Sequence, residues 1–304
     1  MTSANTVLMI RPKAFGFNEE TALSNVFQQR SKDSFDKIQK QVDIEFQQFA
    51  KLLQQHQIKV LVFDDTLYPE KPDAIFPNNW IATGENWIAL FPMLTPNRRA
   101  ERRVMIVEIL QKHYAVDRII DYTHFENQNK FLEGTGSMVF DHSGRQVFAS
   151  LSPRTDAELV KQFATEIGYQ PIIFDAVDRS GKSIYHTNVM MAIGTKWAAV
   201  CFESIPHEAE RKKVRQALES SAHEVFDLSF VHLENFAGNM LELENSQGEV
   251  FIAMSQIAKQ SLNKTLLAKL ETHGKILAPD ITTIETIGGG SVRCMLAEIF
   301  CAQN

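Results

Sequence analysis

The sequence predicts an α/β protein, a ring of about five hairpin, helix and strand units, and three observations carry that prediction. Four segments read as strand, polar Gly-containing turn, strand: NWIATGENWIALFPM (79–93), GSMVFDHSGRQVFASLS (136–152), NVMMAIGTKWAAVCF (188–202) and NMLELENSQGEVFIAMS (239–255). Each is followed by a charged stretch with helical spacing and then by a short β-type run. The turn glycines Gly84, Gly144, Gly194 and Gly248 are 60, 50 and 54 residues apart, so 304 residues accommodate about five units.

In chain order, VLMIRP is a strand, RPKAFGFNEET a loop with the composition of a flap, SFDKIQKQVDIEFQQFAKLLQQH a helix and IKVLVFDD a second strand. The four hairpins follow. Their helices are RRAERRVMIVEILQKH, DAELVKQFATEIG, EAERKKVRQALESS and QIAKQSLNKTLLAKLETHG, and their third strands DRIIDYT, QPIIFDAVD, HEVFDLSF and KILAPDI. The fifth unit is split, with SVRCMLAEIF supplying one piece and the N-terminal elements the rest, which closes the ring and removes exposed sheet edges. No linker interrupts the pattern, so residues 1–304 read as one domain.

Composition narrows the function. With 44% apolar and 22% charged residues the chain has a normal soluble balance, and a net charge of −6 supplies no basic field for nucleic acid or anionic membrane. No window approaches a membrane span and no leader pattern opens the chain. Cys201, Cys294 and Cys301 lack CxxC spacing, which argues against a disulfide framework and a zinc site and fits a reducing cytoplasm. A small-molecule enzyme without metal or cofactor is expected, with a homodimer left open.

The reactive residues follow from the ring. The segments that begin each hairpin converge on one end of the axis, and there stand PDAIFPNNW, FLEGTGSM, YHTNVMM and FAGNMLE. They set Asp73, Asn78, Asn79, Glu133, His186, Asn188 and Asn239 against apolar strands, where polar groups are costly unless they pair with each other or with a ligand. Cys294 follows Gly288–Gly290, a tract that lets backbone approach a ligand closely. Were MLAEIF to open a helix, its amides would favour the thiolate. Together these residues contain a nucleophile, an acid/base and a carboxylate. Cys201, within WAAVCF, reads as core, and Cys301 as a bystander; Asp64 and Asp65 end a strand that could face the same axis.

FPNNW, LEGTGS, HTN and GGGSVRC, in that order, resemble the pentein superfamily of guanidine-modifying enzymes, which includes arginine deiminases, dimethylarginine dimethylaminohydrolases and amidinotransferases. Within it the motifs are most similar to the citrulline-utilisation hydrolase branch, over essentially the whole chain. The resemblance implies a five-bladed α/β propeller of ββαβ units. It also implies that Cys294 is the nucleophile, His186 the general acid/base, and Glu133 a carboxylate that holds substrate nitrogen and steers protons. PNRRAE and SPRTD match motifs that place arginines on a substrate carboxylate, here Arg98 and Arg154.

Charge bears on the substrate. Relatives that take a guanidinium generally carry Asp where this chain has Asn79 and Asn188, and losing a carboxylate partner of a buried cation costs about 2–5 kcal/mol. An Asn amide can donate to a ureido oxygen that Asp would repel, so the expected reaction is citrulline to ornithine, ammonia and carbon dioxide. Arginine deimination, amidino transfer and a non-catalytic binding role are the alternatives.

Overall fold

The computed structural model describes residues 2–304. Strands β1 (Thr6–Arg11) and β2 (Lys59–Asp64) pair in parallel, joined by a long helix over Phe35–Gln55. Val42, Phe46, Phe49 and Leu53 recur at helical spacing along that helix and bury its inner face. Four sheets of one pattern follow. They comprise β3 (Ile81–Thr83), β4 (Trp87–Leu90) and β5 (Arg118–Asp121); β6 (Val139–Asp141), β7 (Gln146–Leu151) and β8 (Gln170–Asp175); β9 (Met191–Ile193), β10 (Trp197–Val200) and β11 (Glu224–Asp227); and β12 (Leu241–Glu244), β13 (Val250–Ala253) and β14 (Lys275–Leu277). In each, an antiparallel hairpin is extended by a parallel third strand reached through a helical crossover. Side-chain caps mark where several crossover helices start: Asp156 accepts from the amides of Glu158 and Leu159, Ser255 from Ala258, and Asn263 from Leu266.

The last strand, β15 (Ala297–Glu298), pairs antiparallel with β1 and completes the sheet that the N-terminus begins, so the split unit is real. The same pairing corrects one expectation. Val292–Met295 is a single 3₁₀ turn running into β15, so no helix opens at Cys294.

Neighbouring sheets are tied around the ring. Thr83 Oγ1 donates to the Glu298 carbonyl at 3.0 Å and accepts from the Phe300 amide. Thr135 Oγ1 donates to the Asn78 carbonyl, and Thr187 Oγ1 to the Ser137 carbonyl. Trp197 Nε1 donates to Glu242 at 2.7 Å, linking β10 to β12. A parallel bridge between Ala4 and Leu243 joins the last sheet to the first. Five three-stranded sheets thus make an α/β propeller, with apolar cores between the sheets and the helices outside them. Cys201 lies in one of these cores, as expected, and Cys301 in another, where its thiol donates to the Gly84 carbonyl.

Two hairpins share a feature that the hydrophobic pattern alone does not expose: a glycine three residues before a tryptophan. A β-carbon at Gly84 would lie 2.3 Å from Trp87, and one at Gly194 2.2 Å from Trp197 Nε1 and 2.3 Å from Glu242. The indoles lie over the turns, and only hydrogen fits beneath them. Gly194→Ala should therefore destabilise the fold by about 1–3 kcal/mol, the usual cost of overpacking, measured by urea unfolding; an unchanged midpoint would contradict the close approach.

Candidate active site

Each innermost strand is preceded by a tight turn or loop, and these segments converge at one end of the ring: Pro77–Asn79, Gly134–Ser137, Thr187–Val189, the segment around Asn239, and Val292–Met295. The turns that open the five sheets at this end supply Asn79, Glu133, His186, Asn239 and Cys294. A cavity of about 10 Å³ is lined by Asp73, Asn79, Arg98, Arg154, His186 and Cys294, with Asn25, Phe76, Tyr185 and the three consecutive glycines completing the wall.

Glu133 lies fully buried beside it. Its Oε2 meets His186 Nε2 at 2.8 Å and accepts from Arg154 Nη1 at 3.3 Å, with Arg98 Nη1 at 3.9 Å, while Oε1 accepts the Leu94 amide. Burial alone would raise this carboxyl, but Arg154, His186 and Arg98 outweigh it and hold Glu133 well below the usual carboxylate range. Glu133 stands behind His186 in the closed, ligand-free site, outside the lining of this small cavity. Burial, with Arg154 and Arg98 adding to it, outweighs the pull of Glu133 on His186 and lowers that imidazole to about 4. At neutral pH the ring is an uncharged base beside a carboxylate ready to stabilise its protonated form.

Cys294 is 3% exposed. Its Sγ receives Asn239 Nδ2 at 3.4 Å and Asn188 Nδ2 at 3.7 Å. Asn188 thus touches the Cys294 sulfur and is not among the residues lining the cavity. Burial pushes the thiol up, and the bonds from the Ser291 backbone and Asn239 and the nearby Arg293 only partly offset it. The expected thiolate-stabilising helix terminus is absent, so the resting pair is a thiol and a neutral imidazole.

Arg98 is not on a solvated helix face. It is buried, its Nε and Nη2 hold Glu101 at 2.8 and 2.9 Å, its Nη1 donates to Asn79 Oδ1 at 2.7 Å, and Asp73 lies 3.8 Å away. Burial lifts Glu101 to about 7 against the opposing pull of Arg98. Guanidinium is a donor only, so the Asn79 oxygen must face Arg98 and the amide NH₂ the other way. Asn79 Nδ2 and Asp73 Oδ1 are buried and lack partners among the described residues. Asn78 is also buried but does not line the cavity; successive residues of a 3₁₀ turn project about 120° apart, and here Asn79 is the one turned toward it. Asp64 pairs with Arg11 and Lys13, and Asp65 with Lys71; neither lines the cavity.

The glycine-flanked N-terminal loop covers the site. Asn18 and Thr21 hydrogen-bond Asp73 Oδ2 at 2.8 and 3.1 Å, Ser24 accepts from Arg154, and Asn25 donates to the carbonyls of Gly288 and Gly289. The remaining space is about that of one water, so a substrate enters only when this cover shifts. Sequence reasoning missed Tyr185, whose hydroxyl donates to Gly289 and whose ring underlies Arg154, and Glu101, signalled only by its i,i+3 offset from Arg98. Because the thiol lies above its ordinary range, iodoacetamide labelling of Cys294 in the ligand-free protein should rise only at pH values above those of a free cysteine; an inflection near 7 would contradict this.

The family described as N,N dimethylarginine dimethylhydrolase, eukaryotic, matches residues 11–301. No curated protein matches. Among solved structures, the substrate-bound N-terminal domain of ArgZ, an arginine dihydrolase from the ornithine-ammonia cycle in Cyanobacteria, is 15% identical with a TM-score of 0.73 over 96% of this chain and 97% of that one. Against the longer apo ArgZ chain the identity is 16%, again at TM-score 0.73, and the match covers 96% of this chain but only 40% of that one. A dimethylarginine dimethylaminohydrolase adduct is 13% identical with a TM-score of 0.65, covering 97% of this chain and all of that one. With the residue 11–301 match and the five-sheet fold together, the chain belongs to the N,N dimethylarginine dimethylhydrolase family of the pentein superfamily.

Proposed function

We propose that this chain is a cysteine-dependent hydrolase of a C–N bond in a small ureido or guanidino amino acid, with citrulline as the substrate. The observation that carries the choice is the amide of Asn79. Arg98 fixes its oxygen, which leaves, among the described residues, an unpartnered N–H donor on a side chain that lines the cavity. A ureido oxygen is an acceptor and can use that donor; a guanidinium has only donors and cannot. The neutral amides Asn188 and Asn239 on the sulfur point the same way, since neither supplies the carboxylate that a cation wants.

In this reaction Cys294 Sγ attacks the ureido carbon while His186 takes the thiol proton and Glu133 stabilises the imidazolium. Asn79 Nδ2 donates to the developing oxyanion. His186 then protonates the departing amine, releasing ornithine and leaving a carbamoyl group on sulfur. Water, deprotonated by His186, attacks that carbon; the C–S bond breaks, Cys294 takes back the proton from His186, and the released carbamate gives ammonia and carbon dioxide. The overall change is citrulline plus water to ornithine, ammonia and carbon dioxide. Arg154 and Arg98 line the cavity and are the candidates to hold the substrate carboxylate; in the closed site Arg98 is held by Glu101 and Asn79, and Arg154 by Glu133 and by the covering loop, so Arg154 is freed when the loop shifts. The reading treats residues 1–304 as one catalytic domain that needs no metal or cofactor and works in the cytoplasm. Among the described residues no helix is long and apolar enough to cross a membrane.

A second reading, arginine as substrate, is favoured by Asp73 Oδ1, a buried acceptor without a partner that could take a guanidinium N–H. ArgZ is named as an arginine dihydrolase and AgrE has been crystallised with L-arginine. The purified protein should release ornithine and ammonia from citrulline, and Cys294→Ala should abolish the release. Citrulline accumulating from arginine, with no ornithine from citrulline, would replace the first reading by the second. Asn79→Asp should lower kcat on citrulline by roughly 10²–10³, the loss expected for one oxyanion donor. Unchanged turnover would remove Asn79 from the argument.

A further inference from the structure

A second cavity, of about 250 Å³, lies at the opposite, hairpin-turn side of the second and third sheets, and no step of the reaction above uses it. Its size suits a single amino acid better than a drug-sized ligand. Its chemistry is polarised. One wall is aromatic: Phe140 stacks on His142 at 5.7 Å and 10°, Phe300 meets His142 at 4.8 Å, and Tyr169 stands edge-on to Phe140. Such ring faces attract cations. Beside them Glu298, nearly buried, gives one carboxylate oxygen to Arg293 at 2.9 Å, and among the described residues the other carries no hydrogen bond.

Two arginines contribute the opposite charge. Arg145 lies over the Tyr169 ring at 5.4 Å and donates Nε to the Gly168 carbonyl, but among the described residues it has no carboxylate within ion-pair distance. Arg118 is half exposed, and its Glu166 partner is 3.8 Å away. An unpaired guanidinium near a cavity that also offers aromatic faces and a carboxylate matches a ligand with an anionic end, a short aliphatic body and a cationic end.

We propose that this cavity is a second binding site, for a small basic amino acid, whose α-carboxylate pairs with Arg145 and whose basic end lies against Phe140 and Phe300 toward Glu298. The site touches the catalytic end through two short paths. Thr135 lines the cavity two residues after Glu133, and a cation at Glu298 competes with Arg293, the residue before Cys294. Occupancy therefore alters the setting of both the carboxylate and the nucleophile, and the proposal stands whichever substrate the catalytic site takes.

Equilibrium dialysis of labelled L-ornithine tests it on the intact protein. Arg145→Glu should weaken one class of binding by tenfold or more, and Arg118→Glu, at a second exposed position, should weaken the same class, while the rate of Cys294 alkylation stays that of the wild type. Two sites in the wild type and one in the variants is the expected result. A single wild-type site that Arg145→Glu removes also supports this cavity and instead counts against ornithine as a product held at the catalytic site. Binding in both variants equal to the wild type, or no saturable binding at all, overturns the proposal.

Discussion

Everything at the catalytic end depends on one buried carboxylate. Glu133 has no access to solvent, and it stays charged because Arg154 and His186 bond it directly while Arg98 stands within 4 Å. Removing one partner of such a buried pair costs about 3–5 kcal/mol, because the survivor is left without compensation. The cluster therefore fixes its neighbours. Arg98 sets the orientation of Asn79, Arg154 anchors the covering loop through Ser24 and Thr21, and Glu133 decides which nitrogen of His186 faces it. Three sequence-distant turns are locked into one geometry by electrostatics that a water-filled site could not sustain.

That geometry gives a resting enzyme that is less reactive than its residues suggest. A burial-raised thiol and a burial-lowered imidazole line one cavity, so proton transfer from Cys294 to His186 is uphill until a substrate carbon accepts the sulfur's electrons. The cost falls within catalysis, where bond formation to carbon offsets it, and it protects the sulfur in the empty site. The loop cover works in the same direction by excluding water, and it is tied to the charges themselves, through Asp73 and Arg154.

The repeat was legible because hairpins, helices and third strands each have their own period, and the splitting of one unit between the termini followed from counting them. His186 and Glu133 were legible as polar residues set against apolar strands where hairpins begin, and Cys294 by the glycine tract before it. What the sequence hid was long-range. Nothing local marks Arg98 as buried, since PNRRAERR looks like a solvated face; its burial depends on Glu101, Asp73 and Glu133 arriving from three places. The apolar run after Cys294 could open a helix on sequence alone, and pairing with β1 at the other end of the chain makes Ala297–Glu298 a strand instead. Asn78 and Asn79 could not be told apart without the turn that separates them.

The account turns on a covalent bond at Cys294 to the carbon of a ureido group. Its most direct test is mass analysis of the protein quenched with acid during turnover of citrulline, with the modified peptide sequenced. The account predicts a carbamoyl adduct on the peptide carrying Cys294, absent from Cys294→Ala. Turnover without any adduct, or an adduct on another residue, would contradict it.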